Sequence, residues 1–100
     1  MPATIAMTGT VARIGLLGDF DFSNQDELRL AFDQVINAQE DEIEIDLEKT
    51  SFIDSSVIRL FLILRDMAEK SNKTLVIVHC NERITEIFAI GGFDKVFVIR

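Results

Sequence analysis

Tryptophan and tyrosine are absent from this 100-residue sequence, and cysteine, histidine and proline occur once each. A single cysteine, Cys80, cannot close an internal disulfide and cannot build a cysteine-based zinc site. With His79 as the only histidine, any metal site would be mostly carboxylate, and none is expected. One proline and five glycines leave no flexible or Pro-rich linker. The longest apolar run, Leu60 to Leu64, is far short of a membrane span. No basic segment precedes an apolar stretch at the N-terminus, so no signal peptide is expected. Membrane insertion is therefore not expected, and a cytoplasmic location is the default.

Acidic residues are what the sequence has in excess: 17 Asp and Glu against 10 Lys and Arg, a net charge of -7. Phosphate neutralisation needs clustered cations, so nucleic acid is an unsuitable partner. The acidity lies in the first half. Residues 1–50 hold three basic side chains (Arg13, Arg29, Lys49) and eleven acidic ones, whereas residues 51–100 hold seven basic and six acidic. Hydrophobic residues at 48% and a length of 100 fit one globular domain, residues 1–100.

The apolar pattern reads as strands alternating with helices. Thr4–Met7 suits a short edge strand, Thr8-Gly9 a hairpin turn, and Thr10–Leu17 a second strand ended by Gly18. Ser23 or Asn24 is a suitable N-cap for a helix over Gln25–Asn37, with Leu28, Phe32, Val35 and Ile36 inward and Glu27, Asp33 and Gln34 outward. Glu42–Leu47 alternates strictly, which predicts a strand with Glu44 and Asp46 on a wet face. An apolar helix over Ser56–Glu69 has the inner stripe Leu60, Ile63, Leu64 and Met67. Thr74–Val78 is a continuous apolar strand. Asn81 caps a helix over Glu82–Ile90, which Gly91 ends as a left-handed C-cap. Lys95–Ile99 is the last strand. This order predicts an α/β domain with a mixed, largely parallel sheet and helices mainly on one face.

Enzyme templates are missing. There is no G-x-G-x-x-G, no G-x-x-x-x-G-K-[ST] and no G-x-S-x-G. Adjacent in a strand-like run, His79 and Cys80 point to opposite faces, which suits an ordinary histidine and a core thiol rather than a catalytic pair. Asp19 and Asp21, close together in a loop, are ordinary solvated or capping residues. No catalytic residue and no cofactor are expected. The informative stretch is Asp54-Ser55-Ser56, which joins a strand to a helix. Its plain role is structural, a serine oxygen accepting first-turn amides. Its position also tolerates a phosphate, because free N–H groups and the positive end of the helix dipole lie there.

Ile45-Asp46-Leu47, then Phe52-Ile53-Asp54-Ser55-Ser56, then an apolar helix resembles the core signature of the STAS domain in its stand-alone form, the anti-sigma factor antagonists. Gly18-Asp19-Phe20-Asp21 resembles that family's early acidic loop, and Gly92-Phe93-Asp94-Lys95-Val96-Phe97 its closing segment. The resemblance implies an anti-sigma factor antagonist that catalyses nothing. It implies a kinase partner, the anti-sigma factor, which is bound so that a sigma factor is released and which phosphorylates Ser55 with its own ATP. It also implies a phosphatase that resets the switch. Asp19, Asp21, Asp54, Ser56 and Arg59 are the partner-binding residues it points to. Val57 and Arg59 stand where the family has small residues, and are expected to crowd that surface. The sequence stops at Arg100, where family members commonly continue into a helix; without one, an apolar patch would favour a homodimer. Other uses of the same domain are a non-phosphorylated subunit of a lipid or anion transport assembly, and a small ligand or nucleotide sensor.

Overall fold

The computed structural model describes residues 3–100. Two strands open it as a hairpin, β1 (Ala3–Thr8) and β2 (Val11–Leu16), paired Thr8 to Val11 across the two-residue turn Gly9-Thr10. Gly9 has φ +62°, the sign that the first central residue of a type II′ turn requires. A short strand, β3 (Gly18–Phe20), and a 3-10 turn, Phe22–Asn24, lead into α1 (Gln25–Ile36). Then follow β4 (Glu42–Asp46), β5 (Thr50–Ile53), α2 (Ser55–Lys70), β6 (Thr74–Val78) and α3 (Glu82–Gly91). A second 3-10 turn, Phe93–Lys95, precedes β7 (Val98–Ile99).

The main sheet has the order β1-β2-β4-β6-β7. Only its first pair is antiparallel; β2, β4, β6 and β7 run parallel. This is the mixed, largely parallel α/β sheet that the pattern predicts. Ala12, Ile14, Ile43, Ile45, Leu75 and Ile77 point to one face and join a single core with Leu28, Phe32, Phe61, Leu64, Ile84 and Phe88 from the three helices. Phe97 closes the core, edge-on to Phe61 at 6.3 Å and tilted to Phe88 at 5.8 Å. The opposite face carries no helix.

Several expectations need correction. Glu44 is not wet: it is 8% exposed, because Arg13 on the neighbouring strand covers it with an ion pair of 2.7 Å. The loop expected around residues 18–21 contains β3, and β5, where no strand is predicted, pairs with it in parallel as a separate two-stranded sheet. At three and four residues they are too short to show a period. The helix α1 is not entered through a Ser23 or Asn24 side-chain cap. The first free amides belong to the preceding 3-10 turn, so the acceptor stands earlier: Asp21 accepts from the Ser23 amide at 2.8 Å, and Asn24 accepts from the Asp21 amide at 3.0 Å. Glu27, expected outward on α1, is half-buried.

In α2 the inward ring is Phe61, while Ile63 is exposed. The helix is covered over an arc running from Val57 through Leu60, Phe61, Leu64 and Ala68, which a narrower stripe misplaces. Asn81 caps α3 as expected, accepting from the Ile84 amide at 2.8 Å. The left-handed residue after it is Gly92, φ +74°, not Gly91. A side chain at that φ would be strained, and one at Gly91 would meet the Phe93 ring at 2.5 Å, so both glycines are needed for different reasons. The last strand is only two residues long. The chain first turns so that the Phe97 amide reaches the Phe93 carbonyl at 2.9 Å and both rings face the core.

Candidate functional site

The junction between β5 and α2 is organised by Asp54. Its backbone is extended and its carboxylate caps α2, accepting from the Val57 amide at 3.0 Å and from the Ser56 hydroxyl. The other carboxylate oxygen accepts from the Phe22 amide at 3.2 Å, and the Asp54 amide donates to the Phe20 carbonyl at 3.2 Å. One side chain thus ties the start of α2 to the loop after β3. The Ser56 hydroxyl holds the Asp54 carboxyl below the usual carboxylate range; burial opposes this, and the Val57 and Phe22 amides reinforce it.

Because Asp54 and Ser56 supply the cap, Ser55 is left over. It occupies the first helical position, is exposed, and its hydroxyl makes no hydrogen bond among the described residues. The serine cap expected on structural grounds is therefore an aspartate cap. Val57 does not crowd the surface: it is 1% exposed and packs into the core. Arg59 is exposed one turn after Ser55 and joins none of the ion pairs among the described residues. Asp21 lies near by in the loop that Asp54 holds, with its carboxylate taken by the Ser23 amide and hydroxyl. Asp19 is exposed on β3, in register with Phe52 of β5.

Beside Ser55 runs a shallow groove between α2 and α3, lined almost wholly by apolar side chains. Phe52, Ile58, Ile87, Ile90 and Phe93 form it, with Asp54 and Ser55 at its rim. Ile90 is 87% exposed there, and Phe22, on the adjoining loop, is 72% exposed. The Arg83 guanidinium lies 4.8 Å from the centre of the Phe52 ring. Phe52 and Phe93 stand in the motifs that carry the family resemblance, but no groove is predicted from them, and Phe22, Ile58, Arg83 and Ile90 are not singled out in the sequence. A signal existed: Ile87 and Ile90 repeat at i, i+3 beside the inward pair Ile84 and Phe88. That makes α3 apolar over a wider arc than one-sided packing needs.

The remaining candidates sit elsewhere. His79 is exposed, with a left-handed backbone of φ +62°, and its Nδ1 lies 2.9 Å from Asp46 on the helix-free face. Cys80 is partly buried against the core, and burial pushes its thiol up. No three His, Cys, Asp or Glu side chains gather as metal ligands among the described residues.

Comparison with known proteins agrees with this geometry. The family described as "Mlab, STAS domain" matches residues 3–100. A STAS-domain containing protein of Pseudomonas aeruginosa is 30% identical over 91 residues, covering 91% of this chain and 89% of its own. Among solved structures, an anti-sigma factor antagonist from Mycobacterium paratuberculosis superposes with a TM-score of 0.85 at 18% identity, over 97% of this chain and 82% of that one. The Bacillus cell fate determinant SpoIIAA in its phosphorylated form gives 0.72 at 20% identity, over 98% and 90%. With the strand order, the profile match and this relative in agreement, the chain belongs to the STAS-domain family.

Proposed function

We propose that this protein is an anti-sigma factor antagonist: a binding module that docks an anti-sigma kinase on the surface around Ser55 and is released when that kinase phosphorylates Ser55. The observation that carries the reading is the division of labour at the head of α2. Asp54 and Ser56 cap the helix, while Ser55 beside them is exposed and its hydroxyl unengaged. A kinase can modify Ser55 without dismantling the fold. The apolar groove next to it supplies contact area, and Asp19, Asp21 and Asp54 supply acidic surroundings for a basic partner.

Phosphorylation adds about -1.5 to -2 charges. At the rim of an apolar groove those charges need water, so closing a partner over them is unfavourable. Asp54 adds like-charge repulsion, while the free amides of α2 limit the damage to the protein itself. Arg59, one turn on, is placed to pair with the phosphate.

Incubation with a cognate anti-sigma kinase and ATP, followed by intact mass, tests the reading. One phosphate should be added, and Ser55→Ala should abolish it while still binding the kinase. Ser55→Asp should weaken kinase binding. A protein that binds but is never modified would instead be a fixed STAS subunit, as in a transport assembly, and would overturn the switch. In the phosphorylated sample, phosphorus NMR should show a higher second phosphate pKa in Arg59→Ala than in wild type. An unchanged value removes Arg59 from the mechanism.

A further inference from the structure

The edge strand β1 is free of the devices that normally protect a sheet edge. Ala3–Thr8 contains no charge, no proline and no bulge, although 27% of the chain is charged. The first charged side chain is Arg13. Ala6, Met7 and Thr8 are exposed, and among the described residues no strand pairs with the outer side of β1.

A second observation lies directly above this edge. Glu27, Leu30, Ala31 and Gln34 of α1 recur at i, i+3, i+4 and i+7 and form, with Ala3 and Ile5 of β1, a depression along the edge. This stripe adjoins the inward one of Leu28, Ala31, Phe32 and Val35 and shares the buried Ala31 with it. Leu30 is 63% exposed. Glu27 Oε2 is buried and has no hydrogen-bond donor among the described residues. A buried acceptor without a donor is rare in a finished surface, and Gln34 in the same depression carries an amide donor.

We infer that two copies of this chain pair β1 against β1 about a two-fold axis, continuing the five-stranded sheet from one copy into the next and bringing the two α1 stripes together. A two-fold interface must be self-complementary, and this one is. Antiparallel pairing of identical strands leaves no charge opposed to its own kind. With the axis level with the midpoint between Leu30 and Ala31, the exposed Leu30 of each copy lies against α1 of the other, and Glu27 of each copy faces Gln34 of the other, because both are equally far from that midpoint. The unpaired carboxylate oxygen then receives an amide donor. Two chains of net charge -7 repel each other least where charge is missing, and β1 is the longest strand without a charged side chain. The groove beside Ser55 is lined by neither β1 nor α1, so this pairing does not depend on the proposed switch.

Sedimentation equilibrium of the full chain across the micromolar range tests the inference. The wild type should dimerise. Leu30→Lys and Gln34→Glu, both at exposed positions, should keep the wild-type circular dichroism and each raise the dimer dissociation constant by about tenfold or more. Amide exchange at Thr4–Met7 should slow with concentration in the wild type and not in the variants. A wild type that is monomeric throughout, or a dimer whose dissociation constant neither variant moves, overturns the proposal.

Discussion

Ile14, Ile45 and Ile77 stand side by side across β2, β4 and β6 on the helix-covered face of the sheet. One residue earlier on each strand, Arg13, Glu44 and Val76 form the corresponding row on the open face. The first row is completely buried by helices. The second is covered by its own side chains. Arg13 bonds Glu44 through two nitrogens at 2.7 and 2.8 Å and lies 3.8 Å from Asp46, which also meets His79. Arg100, beyond β7, reaches Glu42 of β4 at 3.3 Å, and so crosses β6. Val76 and Val78 are buried there without joining the helix core. A sheet can thus protect one face by apolar packing and the other by long charged side chains laid across it, whose methylene stems cover apolar surface while their heads stay hydrated.

The comparison implies unequal energetics. The largest effect should come from the packed face: Phe61→Ala removes a fully buried ring in contact with Phe97 and should lower unfolding free energy by about 3–5 kcal/mol in urea titration. If that loss were no larger than those on the open face, the division between the faces would fail.

A smaller and more diagnostic effect belongs to the open face. Arg13→Ala takes away both the cation and the cover of Glu44, and should lower the melting temperature by clearly less than Phe61→Ala. Arg13→Leu combined with Glu44→Leu should be closer to wild type than Arg13→Ala alone, since no charge is then left unpaired. A double variant worse than the single would mean that the ion pair itself, not cover for the sheet, stabilises this face.

The smallest effect is a pH dependence. Burial pushes the Asp46 carboxyl up, but the His79 ring, the Glu48 amide and Arg13 outweigh it and leave the group below its ordinary value of 3.8. A carboxyl depressed in the folded state contributes stability that is fully present above the unfolded value and is lost as pH falls through the folded one. The acid limb of a pH–stability curve should therefore steepen below about pH 4 in wild type. Asp46→Asn should flatten it; an identical limb would show that this carboxylate contributes nothing there.

Much of this fold was legible in the residues. The alternation in Glu42–Leu47, the apolar run Leu75–Val78 and the stripe of α1 fix a period, and period decides strand or helix locally. Asn81 announces its helix because an N-cap acts on an amide three residues away. The short strands β3 and β5 were not legible, since three or four residues carry no period and their pairing joins segments about thirty residues apart. At the candidate site, Asp54, Ser55 and Ser56 were visible as a group, but not which of them caps the helix. That depends on the Phe22 amide arriving from a distant loop. The groove forms only where two distant stretches of chain, residues 52–58 and 87–93, come side by side, which the apolar pattern of α3 hints at and does not locate.

What the sequence determined by itself is the local order of elements, the acidic balance and the placement of Ser55 where a strand gives way to a helix. Those follow from interactions within a few residues, where periodicity, capping chemistry and turn geometry act. Only the tertiary structure decided that Glu44 is covered, that Val57 faces inward, that Ser55 alone of its group keeps an unengaged hydroxyl, and that β1 is left as a bare edge. Each of these depends on which distant segment arrives beside the residue. Burial and hydrogen bonding are settled by that neighbour and not by the residue's own chemistry.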